Sequence, residues 1–167
     1  MLKKMLTLAS GMMLLTVTSL VHAADSSVPA PVQSVMTPYL QIHDALAKDS
    51  LDGVSTAASA LGKAAQNDKT FPSELSQEAQ ALAQAKDLDT ARADFKPLSD
   101  TLIKFLGDNH VQTGAFVEAY CPMEKAHWLQ AGTTVSNPFG TSMATCGSIV
   151  SGKTAASATG CPMGCGM

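Results

Sequence analysis

The chain has 167 residues, 46% of them hydrophobic and 15% charged, with a formal net charge of −3. Its acidic balance excludes a phosphate-reading surface, because nucleic-acid binders need a basic patch. Its length suits one domain with a single modest core.

Residues 1–23 read as a secretory signal. Lys3 and Lys4 form the charged start, an apolar run extends from Met5 to about Leu20, and Val21-His22-Ala23 supplies the small-x-small cleavage pattern. The run is shorter than the roughly 20 apolar residues of a membrane span. The expectation is therefore a product exported to a bacterial periplasm, cut after Ala23, with no remaining membrane span. Cleavage removes two lysines and no acid, leaving 9 basic and 14 acidic residues, or a charge of −5.

Residues 24–34 carry Pro29 and Pro31 and read as a flexible leader. From Val35 to Lys48, Met36, Tyr39, Leu40, His43 and Leu46 recur at helical spacing, with Pro38 expected in the first turn. Asp49 or Ser50 is the expected cap of a second helix, whose stripe is Leu51, Val54, Ala58, Leu61 and Ala65. A third helix opens near Pro72 and Glu74 and shows Phe71, Leu75, Ala79 and Leu82 on one face. Asp87 or Asp89 caps a fourth, striped by Leu88, Ala91, Phe95, Leu98, Leu102 and Phe105, kinked at Pro97 and stopped at Gly107. Short polar connections between them predict a mainly α fold: an antiparallel up-down four-helix bundle. No paired carboxylates, Glu-x-x-His or glycine-rich phosphate loop occurs in the bundle, so it reads as scaffold, and His43 as a hydrogen-bonded core residue. No hydrolase or transferase constellation is present, and the chain does not read as an enzyme.

After Gly107 the alanine-rich periodicity stops. Residues 114–147 read as a small C-terminal Cys/Met unit of short strands, at Ala115–Tyr120 and Trp128–Gln130, an Asn137-Pro138-Phe139-Gly140 turn, and a helical turn within 141–147. Tyr120, Trp128 and Phe139 are expected to pack this unit against the bundle. Residues 148–167 read as a flexible linker and tail. All four cysteines, and every methionine beyond Met36, lie between Tyr120 and Met167, and Cys-Pro-Met occurs twice.

Thiolates and thioethers are soft donors that favour Cu(I) or Ag(I) over hard cations. Cys121 and Met123 flank a proline, and Met143 and Cys146 share a face on a helical turn. Together with His127 they form one candidate ligand set; Cys161, Met163, Cys165 and Met167, at alternate positions, form another. The competing reading is disulfide chemistry, since four cysteines in an exported chain can pair in three ways. For Cys121 and Cys146 the two readings stand equal. The tail favours a metal, because a flexible terminus has no fold for a bridge to staple and a disulfide gives the adjacent methionines no purpose. The functional expectation is a periplasmic Cu(I)/Ag(I)-binding protein. Its alternative is a disulfide-stapled interaction module that binds no metal.

Tyr120-Cys121-Pro122-Met123, Trp128-Leu129-Gln130, Asn137-Pro138-Phe139-Gly140 and Met143-x-x-Cys146-Gly147, with Ala85-Lys86-Asp87-Leu88-Asp89 upstream, resemble an uncharacterised bacterial domain family. That family is found as exported stand-alone proteins and fused to periplasmic adaptor subunits of copper/silver (CusB-like) efflux pumps. The resemblance spans about residues 35–147. It implies a periplasmic helical domain concerned with heavy metals, and a heavy-metal efflux adaptor as partner.

Overall fold

The computed structural model describes residues 28–151. The expected signal segment, the first residues of the leader and the Cys/Met tail lie outside the described residues. Four helices come first, α1 (Ala30–Leu46), α2 (Val54–Asn67), α3 (Ser73–Gln84) and α4 (Leu88–Asp108). Strands β1 (Phe116–Cys121) and β2 (Ala126–Ala131), a 3-10 turn (Thr141–Met143) and strand β3 (Ser148–Ser151) follow. The protein is mainly α with a small antiparallel sheet. Among the described residues, no helix is long and apolar enough to cross a membrane.

The expected stripes are the core. Met36, Tyr39 and Leu46 of α1, Ala58 and Leu61 of α2, Leu75, Ala79 and Leu82 of α3, and Phe95, Leu98 and Leu102 of α4 are all fully buried. Each helix packs on its neighbour in sequence across a short connection, which alternates their directions. Gly62 lets α2 approach α3 closely: a Cβ there would sit 3.4 Å from Ala79 Cβ and from the Ser76 carbonyl oxygen. The closing seam of the bundle is different. Helices α1 and α4 touch only locally, and β2 packs against α4 beside them.

Several boundaries differ from the sequence expectation. Helix α1 begins at Ala30, inside the expected leader, because Pro31 sits in its first turn, where a missing N–H costs nothing, and Val32 and Val35 are buried. Pro38 is consequently interior, and it removes the bond to the carbonyl of exposed Ser34, which solvent can serve. Asp49 does not cap α2. It closes α1 in the left-handed region (φ 52°), with Asp49 N–H bonded to the Leu46 carbonyl and Ser50 N–H to the Ala45 carbonyl. Helix α2 starts after Gly53, itself at φ 77°. Asp87 does cap α4, accepting the Thr90 N–H at 2.7 Å. Helix α4 runs on across exposed Pro97 and past Gly107; His110, at φ 51°, takes the left-handed stop instead, with Val111 N–H returning to the Leu106 carbonyl.

The sheet order is β2-β1-β3, antiparallel throughout. In the β1–β2 hairpin Tyr120 faces His127 and Cys121 faces Ala126, and the turn between them ends on Lys125 at φ 48°. Strand β3 corrects the expected linker over 148–160. Its first four residues add an edge to β1, pairing Ser148 with Tyr120 and Ile149 with Ala119, and the register shifts between Ala119 and Glu118.

Candidate functional site

Strand β1 alternates strictly, with Val117, Ala119 and Cys121 buried and Phe116, Glu118 and Tyr120 half-buried. A period of two places the first set on one face of the pleat. The Cys121 thiol therefore points into the protein, and the residue is fully buried. On β2, Trp128 lies opposite Ala119 and is also fully buried.

The chain must return to Cys121 after leaving β2, and Asn137 makes that possible. It is 1% exposed. Its side-chain oxygen accepts the Phe139 N–H at 2.8 Å, its amide donates to the Cys146 carbonyl at 2.9 Å, and its own N–H reaches the Ala144 carbonyl at 3.0 Å. This local turn chemistry is what the Asn-Pro-Phe-Gly motif does. Phe139 is thereby seated between Phe95, 6.3 Å away, and Trp128, 6.1 Å away in an edge-on contact. Trp128 and Phe139 join the unit to the bundle core as expected; Tyr120 instead stacks on His127, ring centres 4.4 Å apart.

The turn brings two sulfurs together. Cys121 Sγ and Cys146 Sγ are 2.8 Å apart, and Cys146 is half-buried. Gly147 allows the approach: at φ 133°, a Cβ on it would meet the Tyr120 carbonyl oxygen at 2.9 Å and the Trp128 ring at 3.0 Å.

The remaining candidates are spread out. Met123 sits on the hairpin turn and is 73% exposed, while its neighbour Cys121 is buried. Met143 ends the 3-10 turn, half-exposed, and its carbonyl accepts the Cys146 N–H at 2.7 Å. His127 is half-exposed on the hairpin face with Glu118 and Tyr120, and its Nδ1 lies 2.7 Å from Glu118 Oε1. Across from it on α4, partial desolvation raises the carboxyl of exposed Asp100 above its usual range, opposed by the nearby His127 and Lys96 side chains. Among the described residues, no three His, Cys, Asp or Glu side chains converge on one point. Cys161, Met163, Cys165 and Met167 lie outside the described residues.

Polar groups of Tyr39 and His43 from the α1 stripe, and of Arg92, which periodicity did not single out, hold the unit to the bundle, and Gln130 braces the unit from within. The Tyr39 hydroxyl accepts the Leu129 N–H at 3.1 Å and shares a 2.8 Å hydrogen bond with Ser99 Oγ, and burial drives its pKa far upward. His43, 2% exposed as a core residue should be, donates from Nε2 to the Ser136 carbonyl at 2.9 Å. Gln130, 1% exposed, accepts from Trp128 Nε1 and from the Ser136 N–H, and donates to the Thr134 carbonyl at 2.7 Å. Arg92 of α4 donates to the Leu46 and Pro138 carbonyls and to Asp49 Oδ1. Asp49 also accepts the hydroxyl and N–H of Thr141, and these Thr141 and Arg92 hydrogen bonds hold its carboxyl below the usual range. A groove of about 500 Å³ beside this cluster is lined by Asp49, Asp87, Asp89 and Arg92. Asp49 and Asp87 already serve Thr141 and Thr90, so the cluster reads as a structural joint.

None of the curated proteins and none of the solved structures matches the chain. A protein family does match, over residues 35–114, which run from within α1 past the end of α4 and stop before the first Cys-Pro-Met. Over residues 35–114 the chain is similar to the family described as protein of unknown function (DUF3347).

Proposed function

We propose that the chain is an exported handling protein for Cu(I) or Ag(I) that passes the ion to a heavy-metal efflux adaptor. Its parts divide the work: the folded domain is a disulfide-stapled carrier, and the Cys/Met tail holds the ion. The observation that carries this division is the contact between fully buried Cys121 and half-buried Cys146, with sulfurs 2.8 Å apart. Metal–sulfur bonds of about 2.3 Å in tetrahedral geometry set two ligand sulfurs roughly 3.8 Å apart. A disulfide needs about 2.05 Å. The contact leaves no gap for an ion and favours a bridge in an oxidising compartment. Closing the loop from 121 to 146 would stabilise the unit by roughly 3–4 kcal/mol on the chain-entropy account.

The tail supports the metal half of the reading by its chemistry. Cys161, Met163, Cys165 and Met167 place soft donors at every second residue. The export half rests on the Lys3-Lys4 start, the apolar run and Val21-His22-Ala23. The sulfur contact equally favours a second reading, a stapled module that docks on the adaptor and binds no metal.

Thiol counting and native mass spectrometry on protein isolated from periplasm separate these readings. Cys121 and Cys146 are expected to resist alkylation until reduced. Cu(I) or Ag(I) uptake is expected to survive Cys121→Ser with Cys146→Ser, and to disappear when residues 158–167 are deleted. Unchanged Cu(I) stoichiometry in the deletion sinks the assignment to the tail; no uptake by any form favours the metal-free module.

A further inference from the structure

We propose that the Cys121–Cys146 pair is a redox latch on strand β3, and so on the point from which the Cys/Met tail leaves the domain; this rests on the disulfide reading above. Among the described residues, strand β3 has little else to hold it. It is a four-residue edge strand paired on one side only, its register on β1 is broken between Glu118 and Ala119, and Val150 is half-exposed. Among its described side chains, Ile149 alone packs on the main core. Short edges with few buried contacts open locally at small free-energy cost. Its one firm attachment lies just upstream. Cys146 stands two residues before Ser148, its sulfur against the last residue of β1, and Gly147 is wedged against Tyr120 and Trp128.

When the two sulfurs are bonded, the start of β3 is fixed covalently to the end of β1, and the strand cannot peel away from that end. Reduction removes the tether while leaving the bundle, which contains no cysteine, unaltered. The chemistry is thiol–disulfide exchange with a dithiol reductant. One reductant thiolate attacks the Cys146 sulfur, the half-buried partner, and the Cys121 thiolate leaves and takes up a proton. The reductant's second thiolate then attacks its own sulfur in the mixed disulfide, releasing Cys146, which is protonated in turn. Two electrons and two protons reach the protein, and the reductant ends as a disulfide. The tail's first cysteine, Cys161, lies ten residues beyond Ser151, so the latch governs whether the donor segment is rooted on the sheet or follows a loose end.

Hydrogen exchange on the exported chain, oxidised and then reduced with a phosphine, tests this. Amides of 148–151 are expected to exchange about tenfold or more faster after reduction, as a locally opening edge does, while α2 and α3 keep their protection. Cys121→Ser should show the reduced pattern without added reductant, and Cys146→Ala repeats the comparison should that variant fail to fold. Equal protection of 148–151 in both redox states, with thiol titration showing that the bridge had formed and opened, overturns the latch alone. Titration showing that Cys121 and Cys146 never pair overturns both the latch and the staple it rests on.

Discussion

The α2–α3 arm and the seam between α1, α4 and the sheet are held by different physics. In the arm, small residues at helical spacing let two helices close on each other: Ala58, Leu61, Ala65, Leu75, Ala79 and Leu82 are buried, and Gly62 sits against Ala79. Such packing is non-directional, and any side chain of the right size on the right face serves it. At the seam, few residues do the joining, and most do it through a specific hydrogen bond. Tyr39 reaches Leu129, His43 reaches Ser136, and Arg92 reaches Leu46, Pro138 and Asp49. The arm should tolerate conservative change; the seam should depend on individual atoms.

The largest test of that contrast is Trp128→Ala. The side chain is fully buried, contacts Phe139 edge-on, and supplies the indole N–H that Gln130 accepts. Its removal leaves a cavity and takes from the Gln130 amide oxygen one of its two donors, the Ser136 N–H remaining, and should cost about 3–5 kcal/mol. Urea unfolding measures it. A loss below about 1 kcal/mol, the range of a volume-conserving core swap, would mean that the seam is no more exacting than the arm.

Tyr39→Phe asks the same of one atom. The ring stays, with its neighbour Phe95 at 5.1 Å, and only the hydroxyl goes. The buried Leu129 N–H then loses its acceptor and Ser99 its partner. The expected loss is about 1–3 kcal/mol, the cost of stranding a buried donor. Denaturation midpoints equal to wild type would show that the hydroxyl is dispensable.

The same contrast explains what could be read from the chain and what could not. The stripes of α3 and α4 follow from helical period alone, and the faces they predict are the buried ones. The β1–β2 hairpin and the Asn137 turn carry their own local chemistry and were legible too. The start of α1 was obscured because Pro29 and Pro31 are breakers in one context and helix openers in another. Strand β3 was hidden among Gly, Ser and Thr, with Ile149 and Val150 its only apolar residues. Asp49 suits an N-cap by type, yet it ends α1 and binds Arg92 and Thr141, residues 43 and 92 positions away. Partners that far apart leave no periodic trace. For the candidate site, the sulfur-rich segment and a meeting of Cys121 with Cys146 were evident, but not that Met123 would face outward, away from that meeting. The hairpin register and the Asn137 turn decide that jointly.

The smallest expected effect concerns Asp49 and depends on pH. Its hydrogen bonds from Thr141 and Arg92 favour the ionised carboxylate and lower its pKa in the folded state. A depressed folded pKa adds stability that is complete above the unfolded value, here 3.8, and fades as pH falls through the folded one. Asp49→Asn keeps the shape but gives up the charge that Arg92 meets. The variant's urea midpoint should therefore lie below wild type near neutral pH, and the gap should narrow as pH drops below about 4. Helix α2 and helix α3 contribute no group to this joint, so a substitution confined to their packed faces, such as Ala79→Gly, should shift the midpoint by an amount that does not change across that window. A gap for Asp49→Asn that stays constant with pH would mean that the seam is held there by shape alone, and the electrostatic half of the contrast would fall.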